Sequence, residues 1–312
     1  MAVSTTLAAY ALIIFGSHVR VTESGMGCPD WPLCDGQVGP IYEFHALMEQ
    51  THRYLAAVVT VLVLATALLA LRDRAPSRSV AASATLRPAL FTVGVIVAQI
   101  ALGAVTVMTS NAAPTVAAHL LAGLAMLGCA TVTAVCALVP RRARPGRRLA
   151  MVGWVANCAA TVLFLTGSLV INAQAEQACA SFPLCPADQP GALVWLHLIH
   201  RAVAMLAGIA LLAFATHAWR RWSAIPGARA LAATLATLVV ATASLGIASA
   251  LLLAPPNVQD LHLAGAAAVL ITSVALAALG WLTGADCPAH RPPTEQPMQR
   301  EAVSADLGRD AG

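Results

Sequence analysis

Residues 46–71 read ALMEQTHRYLAAVVTVLVLATALLAL, and residues 193–216 read LVWLHLIHRAVAMLAGIALLAFAT. Both stretches are apolar and have a His-Arg pair near their start, at His52 and, 148 positions later, at His200. About 20 apolar residues are enough for a helix to span a membrane. The two stretches therefore predict membrane helices, and they indicate that the chain contains an internal repeat.

The repeat continues on both sides of these stretches. Matching residues recur at an offset of 151 positions before the His-Arg pair and of 143 positions after it. They are Gly16-Ser17 with Gly167-Ser168, Cys28 and Cys34 with Cys179 and Cys185, Leu102-Gly103 with Leu245-Gly246, and His119 with His262. Each half thus has two cysteines followed by two histidines, and histidines within membrane helices usually have a functional role.

Composition places the whole chain in a membrane. Hydrophobic residues make up 59% and charged residues 10% of the 312 positions, whereas a soluble domain has about 25% charged residues. Continuous runs of Ala, Leu and Val predict helices rather than a β-barrel. We predict an all-α integral membrane protein with eight transmembrane helices, near residues 3–20, 46–71, 88–108, 116–139, 149–171, 193–216, 229–253 and 258–283.

The charged residues predict how the chain is oriented. Arginines cluster in the connections after the second, fourth and sixth helices, whereas the opposite connections have mostly Asp and Glu. By the positive-inside rule we expect both termini in the cytoplasm and the cysteine loops on the outer face of the plasma membrane. This orientation accounts for the net charge of +4, so we expect membrane lipid around the protein and no nucleic-acid partner.

The repeat also predicts the domain organisation. Because each half has an even number of helices, both face the same way, and we expect two tandem four-helix bundles with pseudo-two-fold symmetry along the membrane normal. No cleaved signal peptide is expected, since the first helix has a repeat partner. The predicted units are the N-terminal half at 1–140, an Arg-rich cytoplasmic linker at 141–148, the C-terminal half at 149–284 and a disordered cytoplasmic tail at 285–312.

The four repeated histidines are candidate cofactor ligands. His52, His119, His200 and His262 lie near the outer ends of predicted helices. Two facing histidines on neighbouring helices can hold a haem iron from both sides. The alternative is hydrogen bonding between helices, but four histidines at repeat-equivalent positions favour haem. Zinc fits less well, because neither pair has a clustered third ligand.

The two halves differ just before the first histidine. Glu49 precedes His52 by three residues, and His197 stands at the equivalent place in the second half. Residues three apart share a helix face, so we expect Glu49 beside His52, where a carboxylate near a haem can move protons. A solvated position at the membrane surface is the alternative. The difference favours chemistry in the first half and an electron-transfer or structural haem in the second.

Arginines and cysteines complete the set of candidates. Arg53 and Arg201 each follow a histidine, and each could pair with a haem propionate or with a helix-end carbonyl. The cysteine pairs 28 with 34 and 179 with 185 lie in outer loops, where oxidising conditions allow each pair to close a small local disulfide. We favour a structural role for these loops, and a redox role remains open.

These residues resemble a known family. The stretch GSHVRVTESGMGCPDWPLC at 16–34 closely resembles the first outer loop of the haem A synthase family, the bacterial group related to mitochondrial cytochrome oxidase assembly factors. The resemblance covers nearly the whole chain apart from the tail. It continues through Glu49-x-x-His52-Arg53, the His119 helix, the second cysteine loop, His200-Arg201 and His262.

The resemblance implies an eight-helix enzyme that oxidises the pyrrole C8 methyl group of haem O to a formyl group, which gives haem A. It implies that His200 and His262 hold a haem b cofactor, whereas His52 and His119 receive the substrate haem. The implied chemistry is successive hydroxylation of the methyl group, after which the gem-diol loses water. Implied partners are the haem O synthase and factors of cytochrome oxidase assembly.

The resemblance also bears on two other features. The glutamate that matches Glu49 is required for function in the family, and the cysteines that match Cys28 and Cys34 form a disulfide whose role is debated. Three other functions fit parts of the pattern. They are a di-haem b-type cytochrome that only transfers electrons, a thiol oxidoreductase that reduces quinone, and a transporter with parallel repeats.

Overall fold

The computed structural model describes residues 1–39, 41–73, 80–139, 147–185 and 191–283. Within these ranges the regular secondary structure is helical, apart from an isolated bridge between Cys34 and Gln37. The helices are α1 (Ala2–Val21), α2 (Phe44–Arg72), α3 (Val80–Met108), α4 (Ala113–Leu138), α5 (Arg147–Asn172), α6 (Ala192–Arg221), α7 (Ala228–Leu251) and α8 (Pro256–Thr283). All eight are long and apolar enough to cross a membrane, which confirms the predicted all-α membrane fold.

Several helices extend beyond their predicted ends. Helix α3 begins at Val80 rather than at residue 88 and contains Pro88, and α5 begins at Arg147, inside the predicted linker. The predicted ends came from apolarity, which marks only the part of a helix that lies in lipid. Most of the linker, 141–146, and the whole tail, 285–312, lie outside the described residues.

The helices of each half pack in a ring. Helix α1 packs on α2, α2 on α3, α3 on α4 and α4 on α1, and helices α5 to α8 repeat the same order of contacts. Between the halves, α8 packs on α1 and α4, and α4 packs on α5. The division into two tandem four-helix bundles and the symmetry axis between them stay predictions. Helices α4 and α8 have the most buried spans, at 50% and 61%, so they form the centre.

Polar contacts join the central helices. The Ser273 hydroxyl, on α8, donates to the Asn157 side-chain oxygen on α5 at 2.8 Å. The Tyr10 hydroxyl, on α1, donates to the Ala264 carbonyl on α8 at 3.1 Å. Buried polar groups in proteins are normally hydrogen-bonded, so these contacts constrain how α8 packs on α1 and α5.

The repeat extends to the backbone at the helix ends. Glu23 after α1 and Gln174 after α5 adopt left-handed conformations, with φ of 56° and 55°. Asn111 after α3 and Ala254 after α7 do the same, both with φ of 56°. Such conformations are uncommon in residues other than glycine. Their recurrence at the offsets of 151 and 143 shows that equivalent helices end in the same way.

Candidate functional site

Each of the four predicted ligands packs its ring against a glycine of the preceding helix. A Cβ atom added to that glycine would lie closer to the imidazole Cε1 atom than the optimal separation of about 3.5–4 Å between carbon atoms. The distances are 2.8 Å for Gly16 and His52, 3.2 Å for Gly103 and His119, 3.1 Å for Gly167 and His200, and 2.9 Å for Gly246 and His262. A larger residue would push the ring away, so glycine allows the close approach.

The histidines come together in two pairs. His52 and His119 lie within electrostatic range of each other, as do His200 and His262. Each pair belongs to one half, with one ring on the second helix of that half and one on the fourth. Two imidazoles presented from separate helices are the donor set that haem iron takes from a helical bundle, so these residues fit a haem in each half.

In the second half both rings are held through Nδ1. The Nδ1 atom of His200 lies 3.0 Å from the Thr166 hydroxyl, and that of His262 lies 3.1 Å from the Thr242 carbonyl oxygen. A hydrogen bond at Nδ1 fixes the orientation of a ligating histidine and leaves Nε2 available for a metal. Among the described residues, no hydrogen bond involves Nε2 of either ring.

In the first half the rings are held differently. Nδ1 of His52 is buried without a partner among the described residues, and this ring stacks on Phe15 with centroids 6.4 Å apart. The Gln99 side-chain amide lies 3.3 Å from Nε2 of His119. Nδ1 of His119 is buried and has no hydrogen-bond partner among the described residues.

The residues that support the rings stand at equivalent positions of the two halves, but they belong to no motif in the sequence. Phe15 and Thr166 are 151 positions apart, as are the neighbouring glycines. Gln99 and Thr242 are 143 positions apart, as are the histidines that they contact. The sequence shows only that these equivalent positions hold different residues. The structure shows that these residues contact the candidate ligands.

Glu49 is buried near the start of α2, with only 5% of its surface exposed, which excludes the solvated position. Its carboxylate accepts the Cys28 backbone N–H at 2.9 Å and a guanidinium N–H of Arg53 at 2.6 Å. These contacts attach Glu49 to the first cysteine loop. Its equivalent, His197, is also buried, and its Nδ1 has no partner among the described residues.

The two arginines that follow the histidines hold the cysteine loops. Arg53 donates to two loop carbonyls, those of Asp30 and Leu33, besides its bond to Glu49. Arg201 donates to three carbonyls of the second loop, at Ser181, Pro183 and Cys179, over 2.7–3.0 Å. Of the two alternatives for these arginines, carbonyl contacts are present here, and pairing with a haem propionate stays a prediction.

Each cysteine loop is closed by a disulfide. The S–S distances are 2.05 Å for Cys28–Cys34 and 2.06 Å for Cys179–Cys185. In the first loop the Asp30 carboxylate accepts the backbone N–H groups of Gly36 and Asp35. These bonds, that from Gly36 first, lower the pKa of Asp30. The second loop has Ser181 at the same place, so only the first loop has this carboxylate.

A polar contact joins the two halves beside these loops. The Asp260 carboxylate, on α8, accepts the Ser17 hydroxyl at 2.7 Å and lies 3.0 Å from Nδ1 of His18. Arg20 donates to the Gln259 side chain at 2.9 Å. The C-terminal end of α1 is therefore attached to the start of α8.

Comparison with known families covers almost the whole of this arrangement. Residues 1–45 and 41–274 match the COX15-CtaA family, described as cytochrome oxidase assembly protein. The chain belongs to the COX15-CtaA family. All four histidines and Glu49 of this COX15-CtaA protein lie in the matched residues.

Individual relatives agree with this family. A Bacillus licheniformis protein named heme A synthase is 29% identical over 237 residues, which cover 71% of this COX15-CtaA chain and 76% of the relative. A heme A synthase of Shewanella oneidensis is 26% identical over 323 residues, with 86% and 92% covered. A protoheme IX farnesyltransferase of Halobacterium salinarum is 32% identical over 121 residues, which cover 39% of this chain and 25% of the relative.

Proposed function

We propose that this protein is a haem A synthase that oxidises the pyrrole C8 methyl group of haem O to a formyl group. The observation that carries the proposal is the presence of two glycine-backed histidine pairs with unlike surroundings, in a chain whose relatives are named heme A synthase. Two equally supported pairs would fit an electron carrier better. The unlike pairs favour one site that retains its haem and one that exchanges it.

The second pair is the proposed site of the resident haem b. The Thr166 hydroxyl and the Thr242 carbonyl orient the rings of His200 and His262. Such supporting hydrogen bonds typically change metal affinity about 10- to 100-fold. When bound, haem b supplies one-electron transfer.

The first pair is the proposed site of substrate haem. His52 and His119 would hold haem O near the outer face, with Glu49 three residues from His52. The Glu49 carboxylate is held by two donors, so its charge is fixed in position. Its proposed role is to take protons released at the methyl carbon or to stabilise positive charge there.

The proposed reaction consists of two successive two-electron oxidations of the methyl carbon. Each adds one hydroxyl group, and the resulting gem-diol loses water to leave the aldehyde. With water as the source of oxygen, the methyl group and the one water consumed in net release four electrons and four protons. The electrons would leave one at a time to an external one-electron acceptor, which is the oxidant of the reaction. The role of the protein is to place the methyl carbon, exclude bulk water and remove protons through Glu49.

Location and partners form part of the same proposal. The protein would lie in the plasma membrane with its termini in the cytoplasm and both disulfide loops on the outer face. We expect it to receive haem O from a haem O synthase and to pass haem A to cytochrome oxidase assembly. The similarity of one segment to a protein named protoheme IX farnesyltransferase supports the first partner.

The test is to identify the haems extracted from the purified protein. The protein would be expressed with and without a haem O synthase, and its haems separated by chromatography and identified by mass. We expect haem b in both preparations, and haem O, its hydroxylated form or haem A only with the synthase. Two haems b per chain in both preparations would instead indicate the di-haem electron carrier and overturn the proposal.

A further inference from the structure

The first histidine pair has one contact with no counterpart in the second. The Gln99 amide lies 3.3 Å from Nε2 of His119. At the equivalent place, Thr242 contacts His262 only through its backbone carbonyl, and that contact is at Nδ1. In the first half a side chain thus occupies the nitrogen that iron would bind.

The Gln99 amide packs against a glycine, Gly123, which leaves space for it. A Cβ atom on Gly123, one turn after His119 on α4, would lie 3.1 Å from the Gln99 side-chain nitrogen. Counting 143 positions onward from Gly123 leads to Ala266. In the second half the Thr242 side chain lies against Gly265 instead, where an added Cβ atom would be 2.5 Å from the hydroxyl oxygen. The first half therefore combines a long amide with Gly123, whereas the second combines a short hydroxyl with a glycine one position earlier in the repeat.

An amide and an iron atom cannot both occupy this nitrogen. Neutral imidazole Nε2 either accepts one hydrogen bond through its lone pair or donates one through its proton. Either orientation of the Gln99 amide satisfies it. Iron needs the same lone pair, so binding of haem at His119 requires the amide to leave. That cost is absent at His262.

We infer that Gln99, seated against Gly123, is the residue that makes the first haem site exchangeable. By competing with iron for His119, it weakens binding of both the incoming and the outgoing haem and so speeds release. The inference rests on the proposed function, in which the first site turns over its haem and the second retains it. Gln99 is a specificity-determining residue and takes no part in the oxidation.

The test measures haem release without requiring catalysis. Protein made without haem O synthase would be saturated with ferric protohaem, and its transfer to excess apomyoglobin followed by absorbance. The wild type should show a fast phase and a slow phase, and H119A should lack the fast one. Q99T and G123A, which copy the second half, should slow the fast phase about fivefold, as expected for one lost competing hydrogen bond.

A matched control lies on the same helix. A Cβ atom on Gly128 would have no atom within 4 Å, so G128A should release haem at the wild-type rate. In the reverse direction, the double variant T242Q/A266G should speed the slow phase.

The inference would be overturned if the fast phase of haem release from Q99T had the wild-type rate or a higher one. It would also be overturned if the wild type bound only one protohaem. Failure of the proposed function would look different. The wild type would then form no haem A from haem O, while the release rates would still decide the role of Gln99.

Discussion

The two halves of this protein share the same histidines, glycines, disulfide loops and arginines, and they differ in the side chains that contact them. Both place two imidazoles against glycines, close a short loop with a disulfide between cysteines six positions apart, and attach that loop through an arginine. In the second half Arg201 donates to the Cys179 carbonyl, whereas in the first Arg53 reaches Glu49, which accepts the Cys28 N–H. In the first half, the carboxylate of Glu49 thus links the arginine to the loop backbone.

The comparison shows how a duplicated binding site can acquire two roles. The glycines that position the four rings are repeated in both halves. The parts that differ are the neighbours of the rings and the carboxylate beside the loop. Under the proposed function, divergence in these few neighbours would distinguish a site that retains its haem from one that exchanges and modifies it.

The largest effect is expected from Glu49, whose equivalent in the second half is His197. Replacing Glu49 with Gln keeps a partner for the Cys28 N–H but removes the charge that faces Arg53. We expect haem A formation to fall about 100-fold or more, the size of a lost general acid–base group, while haem b is retained. Extracted haems from cells that also make haem O would be quantified by chromatography.

A carboxylate of the connection between α1 and α2 serves as the control. Asp35 is exposed and its backbone has a φ of 53°, which Asn tolerates. D35N should therefore leave haem A formation at the wild-type level. Normal haem A formation by E49Q would remove the functional distinction between the halves.

The glycines offer a way to break either half separately. Alanine at Gly246 would place a Cβ atom 2.9 Å from His262 and should reduce retention of haem b about 10-fold, as expected for overpacking of 1–3 kcal/mol. Alanine at Gly16, 2.8 Å from His52, should spare haem b and reduce haem O binding by a similar factor. Haem content after gel filtration would measure both.

Two other glycines test whether helix stability explains these effects. A Cβ atom on Gly94 or Gly128 would meet no atom within 4 Å, and alanine is favoured over glycine inside helices by about 1 kcal/mol. G94A and G128A should keep both haems. If all four alanine variants lost haem b equally, the separate assignment of the two pairs would be wrong.

A smaller difference is expected between the disulfides. Replacing both cysteines of either loop with serine should lower the unfolding free energy by at most about 2 kcal/mol, since each bridge closes a short loop. Only the first pair should also reduce haem A formation, because the Cys28 N–H holds Glu49. Thermal unfolding and haem A content would be measured for C28S/C34S and C179S/C185S. Equal loss of haem A in the two variants would contradict the link to Glu49.

The smallest effect concerns acid sensitivity of the first loop. The folded protein lowers the pKa of Asp30, so this carboxylate stabilises the loop fully above its ordinary pKa of about 4. The stabilisation is lost as the pH falls through the lower, folded pKa. Hydrogen exchange at the Gly36 and Asp35 amides should therefore quicken in D30N at neutral pH and in the wild type only in strong acid. The second loop, with Ser181, should show no such change.

The sequence predicted the features that depend on local pattern. Apolar length predicted eight helices, and the matching offsets predicted the repeated histidines and cysteine loops. It could not predict that Glu49 turns to the Cys28 N–H, because helix periodicity gives a face and not a partner across a loop. Likewise, a single amide in an apolar helix predicts no function for Gln99, because the sequence does not show that it contacts His119 and Gly123 on α4.

The contact between Ser17 and Asp260 makes α1 a shared part of two otherwise separate sites. Gly16 lies against His52, its neighbour Ser17 bonds to Asp260, and two residues further along α8 is His262. An unbroken series of covalent and hydrogen bonds thus links a glycine of one site with a ligand of the other. Displacing α1 from His52 would therefore also disturb the Ser17 contact with Asp260, two residues before His262.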